Sequence, residues 1–137
     1  MLKKILVAFD GSPGALKAFD FAADLAAAFR GELLVVAVIR LPEPTTSLEL
    51  GAVLDSMKEQ YERDFATLRS RLGDRAALRT SVEVGHPAEH IVAVAEREGV
   101  DLIVMGRRGH TAIARWMLGS VSERVLRYAH CPVTVIK

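Results

Sequence analysis

The feature that most constrains the fold of this chain is a regular alternation of short apolar runs with segments of helical period. The apolar runs lie at residues 5–9, 33–39, 78–84, 102–105 and 133–136. Between them, apolar residues recur every three or four positions, which is the spacing of one face of an amphipathic helix. We therefore predict the order β-α-β-α-β-α-β-α-β, which is typical of a parallel sheet with helices on both faces.

Residues that start and end helices support this order. Ser12-Pro13 is the pattern of an N-cap followed by proline at the first helical position, and Gly31 stands where a left-handed C-terminal residue is favoured. The stretch 41–50 is rich in proline, threonine and serine and predicts a loop. Polar residues interrupt the run 78–84, so we expect this strand near a sheet edge. The prediction is an open, doubly wound, five-stranded parallel sheet in a single domain, 1–137.

Composition excludes several classes of protein. Lys and Arg total 18 and Asp and Glu total 17, a net charge of +1. This balance argues against a dedicated nucleic-acid binder and against a polybasic membrane anchor. The longest apolar run, 33–39, is far shorter than the roughly 20 residues that span a membrane. The single cysteine, Cys131, excludes an internal disulfide and a four-thiolate metal site. We expect a cytoplasmic protein with no membrane or nucleic-acid partner.

A carboxylate follows the first apolar run directly. Asp10 ends the segment Ala8-Phe9-Asp10, just before the first predicted helix. In a parallel α/β sheet, ligands bind at the carboxyl ends of the strands where the winding reverses. Asp10 is therefore a candidate to bind a ribose hydroxyl or a hydrated metal ion. The alternative is that Asp10 only caps the following helix.

Glycines cluster after the fourth apolar run. Gly106 and Gly109 are followed by nine residues and then by Gly119-Ser120, at the start of the last predicted helix. Glycine lets the backbone approach a ligand closely and permits positive φ. A helix N-terminus, with its N–H groups and dipole, suits a phosphate. The alternative is a loop with glycine turns and an ordinary serine N-cap.

The strand order decides which of these groups meet. In the order 3-2-1-4-5, Asp10 and Gly106 face each other across one crevice, whereas the order 2-1-3-4-5 would bring Asp10 to residues 85–87. No acid ends the third strand, as a phosphoacceptor domain would require. The P-loop pattern and the three-glycine dinucleotide pattern are also absent from the sequence.

Together these segments resemble the universal stress protein family over essentially the whole length of the chain. The resemblance is carried by residues 5–12, 85–88, 101–109, 118–122 and 131–135. Nucleotide-binding members carry glycine, two residues, glycine, nine residues, then glycine and serine or threonine. This chain matches that pattern without a gap at Gly106, Gly109, Gly119 and Ser120.

The resemblance implies the strand order 3-2-1-4-5 and a site for ATP or a related adenine nucleotide. Asp10 would lie beside the nucleoside and is the candidate ligand for Mg²⁺, Val38 would pack on adenine, and Ser122 would be a further phosphate ligand. Carried over residue by residue, the binding positions are Ala8, Asp10, Val38, Met105, Gly106, Gly109, Gly119, Ser120, Val121 and Ser122. Arg107 departs from the serine or threonine frequent in the family, and we expect its side chain in solvent.

The resemblance also implies a homodimer formed through the last strand, Val133–Ile136. That strand is apolar and would lie at a sheet edge, which favours pairing with another chain. The alternative is a monomer whose last strand is covered by the preceding helix. The function implied is a nucleotide-binding module in stress response or signalling, with an unknown client protein and at most slow hydrolysis. The competing hypothesis is a dimeric interaction module that binds no nucleotide.

Overall fold

Strands and helices alternate along the chain in the predicted order. The computed structural model describes residues 1–40, 47–108 and 119–137. The strands are β1 (Lys4–Ala8), β2 (Glu32–Ile39), β3 (Ala77–Val84), β4 (Leu102–Gly106) and β5 (Val133–Ile136). The helices are α1 (Pro13–Phe29), α2 (Ser47–Leu72), α3 (Pro87–Arg97) and α4 (Ser120–Tyr128).

The five strands form one parallel sheet in the order β3-β2-β1-β4-β5. Ile5 of β1 lies opposite Leu33 of β2 on one side and opposite Leu102 of β4 on the other. The chain winds outward from β1 to β3 and then returns to β4, so the winding reverses between β1 and β4. The order predicted from the resemblance is confirmed, as is the expectation that β3 lies at an edge.

Helices cover both faces of the sheet. One apolar core lies under α1 and α2 and includes the fully buried Phe19 and Phe65, while the other lies under α3 and α4 and includes Leu6 and Ile103. Successive strand residues point to opposite faces, so continuous apolar runs are needed where both faces are covered. Burying each such large side chain stabilises the fold by about 1.5–3 kcal/mol.

The ends of α1 show one confirmed prediction and one error. Ser12 is the N-cap, and its hydroxyl accepts a hydrogen bond from the N–H of Ala15 at 3.2 Å. The left-handed residue at the C-terminus is Arg30, with φ of 56°, and not Gly31. A side chain on Gly31 would overlap the carbonyl oxygen of Leu2. Glycine is therefore required there by the close approach of two backbones and not by a positive φ.

The segment predicted as a loop at 41–50 is partly helical. Ser47 already begins α2, and Glu49 in its first turn interacts favourably with the helix dipole. Residues 41–46, which carry both prolines of this segment, lie outside the described residues. Within the described part of the chain, no helix has both the length and the apolar character needed to cross a membrane.

Candidate functional site

A cavity of about 650 Å³ opens at the carboxyl ends of the strands, where the winding reverses. This volume is in the range of about 300–1,000 Å³ that is usual for small-molecule sites. The structure brings nine of the ten predicted binding residues onto its wall: Ala8, Asp10, Val38, Met105, Gly106, Gly119, Ser120, Val121 and Ser122. The tenth, Gly109, lies outside the described residues.

The carboxylate of Asp10 is oriented by a tight turn between β1 and α1. Its Oδ1 accepts a hydrogen bond from the N–H of Ser12 at 2.9 Å. Gly11, between them, has φ of 83°, a conformation that side chains disfavour. Because Ser12 is the N-cap of α1, the alternative that Asp10 serves only as the cap is wrong. The turn instead holds a half-buried carboxylate against the cavity.

The N-terminus of α4 forms a second part of the wall. Gly119 is its N-cap, so the alternative of a serine N-cap is wrong, and Ser120 is the exposed first residue of the helix. Because this N-cap residue is glycine, no side chain of the cap accepts a hydrogen bond from the first N–H groups of the helix. The first N–H groups of a helix have no partner within the helix and carry partial positive charge. This end of the cavity therefore suits an anionic group such as a phosphate.

Close backbone approach explains the glycines of this region. A Cβ on Gly106 would lie 2.9 Å from the carbonyl carbon of Gly14, at the start of α1. A Cβ on Gly119 would lie 3.1 Å from the carbonyl oxygen of Arg107. The φ of Gly119 is −67°, so the positive φ that glycine permits is not used at this position. The glycines allow α1, the end of β4 and α4 to meet at the cavity.

Ser122 connects α4 to the end of β4 through hydrogen bonds of its side chain. Its buried hydroxyl donates to the carbonyl oxygens of Gly106 at 2.8 Å and Arg107 at 3.1 Å. The hydroxyl proton is therefore engaged with the backbone in this structure. A contact with a phosphate oxygen needs a donor, so Ser122 would have to turn its hydroxyl away from β4. Its role as a phosphate ligand stays a prediction.

The side chain of Arg107 is not in solvent as expected. The residue is half-buried, and its Nε is fully covered without a hydrogen-bond partner among the described residues. Its backbone N–H donates to the carbonyl oxygen of Ile136 at 2.9 Å. This bond continues the pairing of β4 with β5 and draws the residue inward.

One wall of the cavity was missed by reasoning from sequence. Met57 and Tyr61 of α2, together with Phe9 and Ile39, line it on the α1–α2 side of the sheet. The spacing of Met57 and Tyr61 is that of an ordinary core face and predicts nothing more than helix packing. No signal in one sequence separates a side chain that faces the core from one that faces a cavity above it.

The aromatic ring of Tyr61 is held by two phenylalanines. Its centroid lies 6.5 Å from that of Phe9 in an edge arrangement and 6.3 Å from that of Phe65 in a stacked one. Burial raises the pKa of the Tyr61 hydroxyl, and the negative charges of Asp10 and Asp64 raise this pKa further. The phenol therefore remains protonated at physiological pH and keeps its ability to donate a hydrogen bond.

A metal ion at Asp10 would need ligands from beyond the described residues. The described residues contain no group of three or more His, Cys, Asp or Glu side chains that could hold a metal. Mg²⁺ is commonly held by one or two carboxylates together with phosphate oxygens and water. Asp10, beside a cavity whose other end suits phosphates, fits that type of coordination.

Comparison with known proteins identifies the family. The model of the universal stress protein family matches residues 1–137. This chain belongs to the universal stress protein family. This family member is 34% identical to the universal stress protein YxiE of Bacillus subtilis (strain 168), over 100% of both chains.

Solved structures agree with this assignment. The universal stress protein UspA from Lactobacillus plantarum has a TM-score of 0.92 at 26% identity, with 99% of this chain and 98% of that chain covered. Two further structures are a universal stress protein in complex with cAMP and one from Archaeoglobus fulgidus in complex with dAMP. The cAMP complex has a TM-score of 0.76, with 98% of this chain and 97% of that chain covered. The dAMP complex has a TM-score of 0.74, with 100% of both chains covered. Each is 24% identical to this chain, and the likeness shows a shared fold.

Proposed function

We propose that this universal stress protein binds ATP or a related adenine nucleotide and acts as a nucleotide-binding module in stress response or signalling in the cytoplasm. The observation that carries the proposal is the convergence of nine predicted binding residues on one cavity at the reversal of the winding. Two proteins of the same fold hold adenine nucleotides in their solved structures, cAMP in one and dAMP in the other.

The cavity offers a suitable surface to each part of a nucleotide. Val38 and Met105 are apolar residues on the α3–α4 side, where an adenine ring would bury its faces. Asp10 lies at the reversal point, where a carboxylate would accept from a ribose hydroxyl or hold Mg²⁺. The N-terminus of α4 would receive the phosphates.

The proposed role is binding, with at most slow hydrolysis. The described residues that line the cavity include no histidine, lysine or cysteine. Histidine in particular is the side chain that most readily exchanges a proton near neutral pH. Water activation within this part of the cavity would therefore depend on a carboxylate, Asp10 or Glu123. Oδ1 of Asp10 already accepts a hydrogen bond from the N–H of Ser12, so this oxygen is engaged with the backbone.

Titration of the purified protein with ATP and Mg²⁺ tests the proposed function. We expect saturable heat in a calorimeter, because the helix N-terminus and the apolar wall act on different parts of one ligand. Nucleotide extracted from freshly purified protein and identified by mass spectrometry would show which adenine ligand is bound. No saturable response up to millimolar ATP would contradict nucleotide binding and favour the interaction module.

We also propose a homodimer formed through β5. The carbonyl oxygens of Pro132 and Ile136 accept from the N–H groups of Ile103 and Arg107 on the β4 side. Backbone groups of alternate residues point to opposite sides of a strand, so those of Val135 face the outer edge. A second copy could pair with that edge in an isologous contact about a two-fold axis.

The opposite edge of the sheet is partly blocked. Arg69 of α2 donates from Nη1 to the carbonyl oxygen of Leu78 at 3.2 Å and from Nη2 to Oγ1 of Thr80 at 3.1 Å. A charged side chain over an edge strand discourages pairing with another chain. Of the two edges of the sheet, β5 is therefore the one we propose for assembly.

Val135→Pro is expected to convert the dimer to a monomer. Proline removes an outward-facing N–H but leaves the hydrogen bonds of Pro132 and Ile136 to β4 in place. Val135→Thr is the matched control, because it keeps the N–H and the β-branched shape and should remain dimeric. Sedimentation equilibrium of the three proteins measures the mass. A wild-type mass of one chain, or a folded proline variant that stays fully dimeric, would contradict the proposed interface.

A further inference from the structure

Residues from both faces of the sheet line the cavity, and Asp10 is one of the residues on its wall. Val38 and Met105 belong to the α3–α4 side, whereas Phe9 and Tyr61 belong to the α1–α2 side, and all four line the same space. Asp10 follows Phe9 directly in the chain and lines the same cavity. A nucleotide with its base against Val38 and Met105 would have its sugar in the same cavity that Asp10 and Tyr61 line.

The Tyr61 hydroxyl is a donor held in place. Its ring is stacked on the fully buried Phe65 and meets Phe9 edge-on, so packing limits its rotation. Among the described residues, none hydrogen-bonds to this hydroxyl. Rigid aromatic side chains with a polar tip contact ligands at little cost in conformational entropy.

The electrostatic influence of Asp10 reaches this hydroxyl. The negative charge of Asp10 contributes to raising the pKa of Tyr61, after burial and together with Asp64. Coulomb interactions between groups weaken with distance, so this influence agrees with a common location on the cavity wall. The cavity wall therefore carries both an acceptor, the Asp10 carboxylate, and a donor, the Tyr61 phenol.

We propose that Asp10 and Tyr61 together read the ribose of the bound nucleotide, so that the site prefers ribonucleotides to deoxyribonucleotides. The inference rests on the proposed nucleotide binding. A ribose carries two neighbouring hydroxyls, and each can donate and accept. The carboxylate accepts from one hydroxyl, while the phenol O–H donates to the oxygen of the other. Removing one of these hydroxyls leaves a protein group without its partner, which weakens binding.

The experiment compares ATP with 2′-deoxyATP and 3′-deoxyATP by calorimetry on the wild type and on Tyr61→Phe. We expect the wild type to bind ATP about three- to tenfold more tightly than either analogue, the effect of one hydrogen bond. Tyr61→Phe should bind ATP about three- to tenfold more weakly. It should bind one of the analogues as the wild type does, because the hydroxyl that Tyr61 contacts is already missing.

Tyr128→Phe is the matched control, since Tyr128 is the other tyrosine of the chain, is 63% exposed on α4 and does not line the cavity. It should bind all three nucleotides as the wild type does. Phenylalanine keeps the contacts of the Tyr61 ring, and thermal unfolding followed by circular dichroism verifies that the variant is folded.

Equal affinity of the wild type for the three nucleotides would overturn the proposed recognition of the ribose while nucleotide binding stands. A uniform loss for all three in Tyr61→Phe would also overturn it. Failure of the wild type to bind any nucleotide would overturn the proposed function itself.

Discussion

Gly106→Ala is expected to lower the free energy of unfolding by about 1–3 kcal/mol, the usual cost of overpacking. The new Cβ would lie 2.9 Å from the carbonyl carbon and 3.0 Å from the carbonyl oxygen of Gly14, so a backbone must move. Gly106 is also the last residue of β4, where it pairs with Ile136. Its carbonyl oxygen accepts a hydrogen bond from the hydroxyl of Ser122. Moving it displaces α4 from the cavity, and nucleotide affinity should fall at least tenfold.

Gly51→Ala is the matched control for this substitution. Gly51 lies within α2 and is exposed, and a methyl group added there would meet no neighbouring atom within 4 Å. Alanine at such a helical site should stabilise the protein by about 0.5–1 kcal/mol and leave affinity unchanged. Urea unfolding and ATP titration measure both quantities. A Gly106→Ala protein with wild-type stability would show that the approach of α1 to β4 is not tight in solution.

Asp10→Asn is expected to weaken ATP binding about tenfold or more in the presence of Mg²⁺, and clearly less without it. The loss is of the size expected when a charge-assisted contact, about 1.5–3 kcal/mol, is removed. An amide attracts a cation less strongly than a carboxylate does. The fold should survive, because the Asn oxygen can still accept the Ser12 N–H and Ser12 itself caps α1.

Titrations in excess Mg²⁺ and in excess chelator measure the two affinities. Asp24→Asn serves as the control, because Asp24 lies on the outer surface of α1 and pairs there with Arg75 at 3.1 Å. An exposed ion pair of this kind contributes about 0–1 kcal/mol to stability and should not affect binding. Equal losses with and without Mg²⁺ in Asp10→Asn would contradict the metal role and leave the proposed contact to the ribose as the role of this carboxylate.

Much of the candidate site was predictable because its residues stand next to strand ends in the sequence. Asp10 comes shortly after β1 and Gly106 ends β4, and the carboxyl ends of parallel strands lie at the same edge of a sheet. The glycine spacing from Gly106 to Gly119 also predicted that the N-terminus of the last helix belongs to the site. Tyr61 was not predictable in this way, because it comes from the middle of α2 and has the periodicity of a core residue.

The glycines show where local rules fail. Gly31 stands where a left-handed residue is common and Gly119 begins a helix, yet neither has a positive φ. Each is instead required where one backbone passes close to another, Gly31 by Leu2 and Gly119 by Arg107. A close approach of this kind joins segments distant in the chain, so no neighbouring residue signals it.

By itself, the sequence determined the order of strands and helices, the cap at Ser12 and the polar character of the edge strand β3. It could do so because propensity, periodicity and capping depend on residues only a few positions apart. Without the family resemblance, the tertiary structure alone decided which strands are neighbours, since both winding orders bury the same apolar runs. It also decided that α2 brings Tyr61 to the cavity that Asp10 lines. Such placements depend on packing between segments far apart in the chain, and that packing is specified only when the helices close over both faces of the sheet.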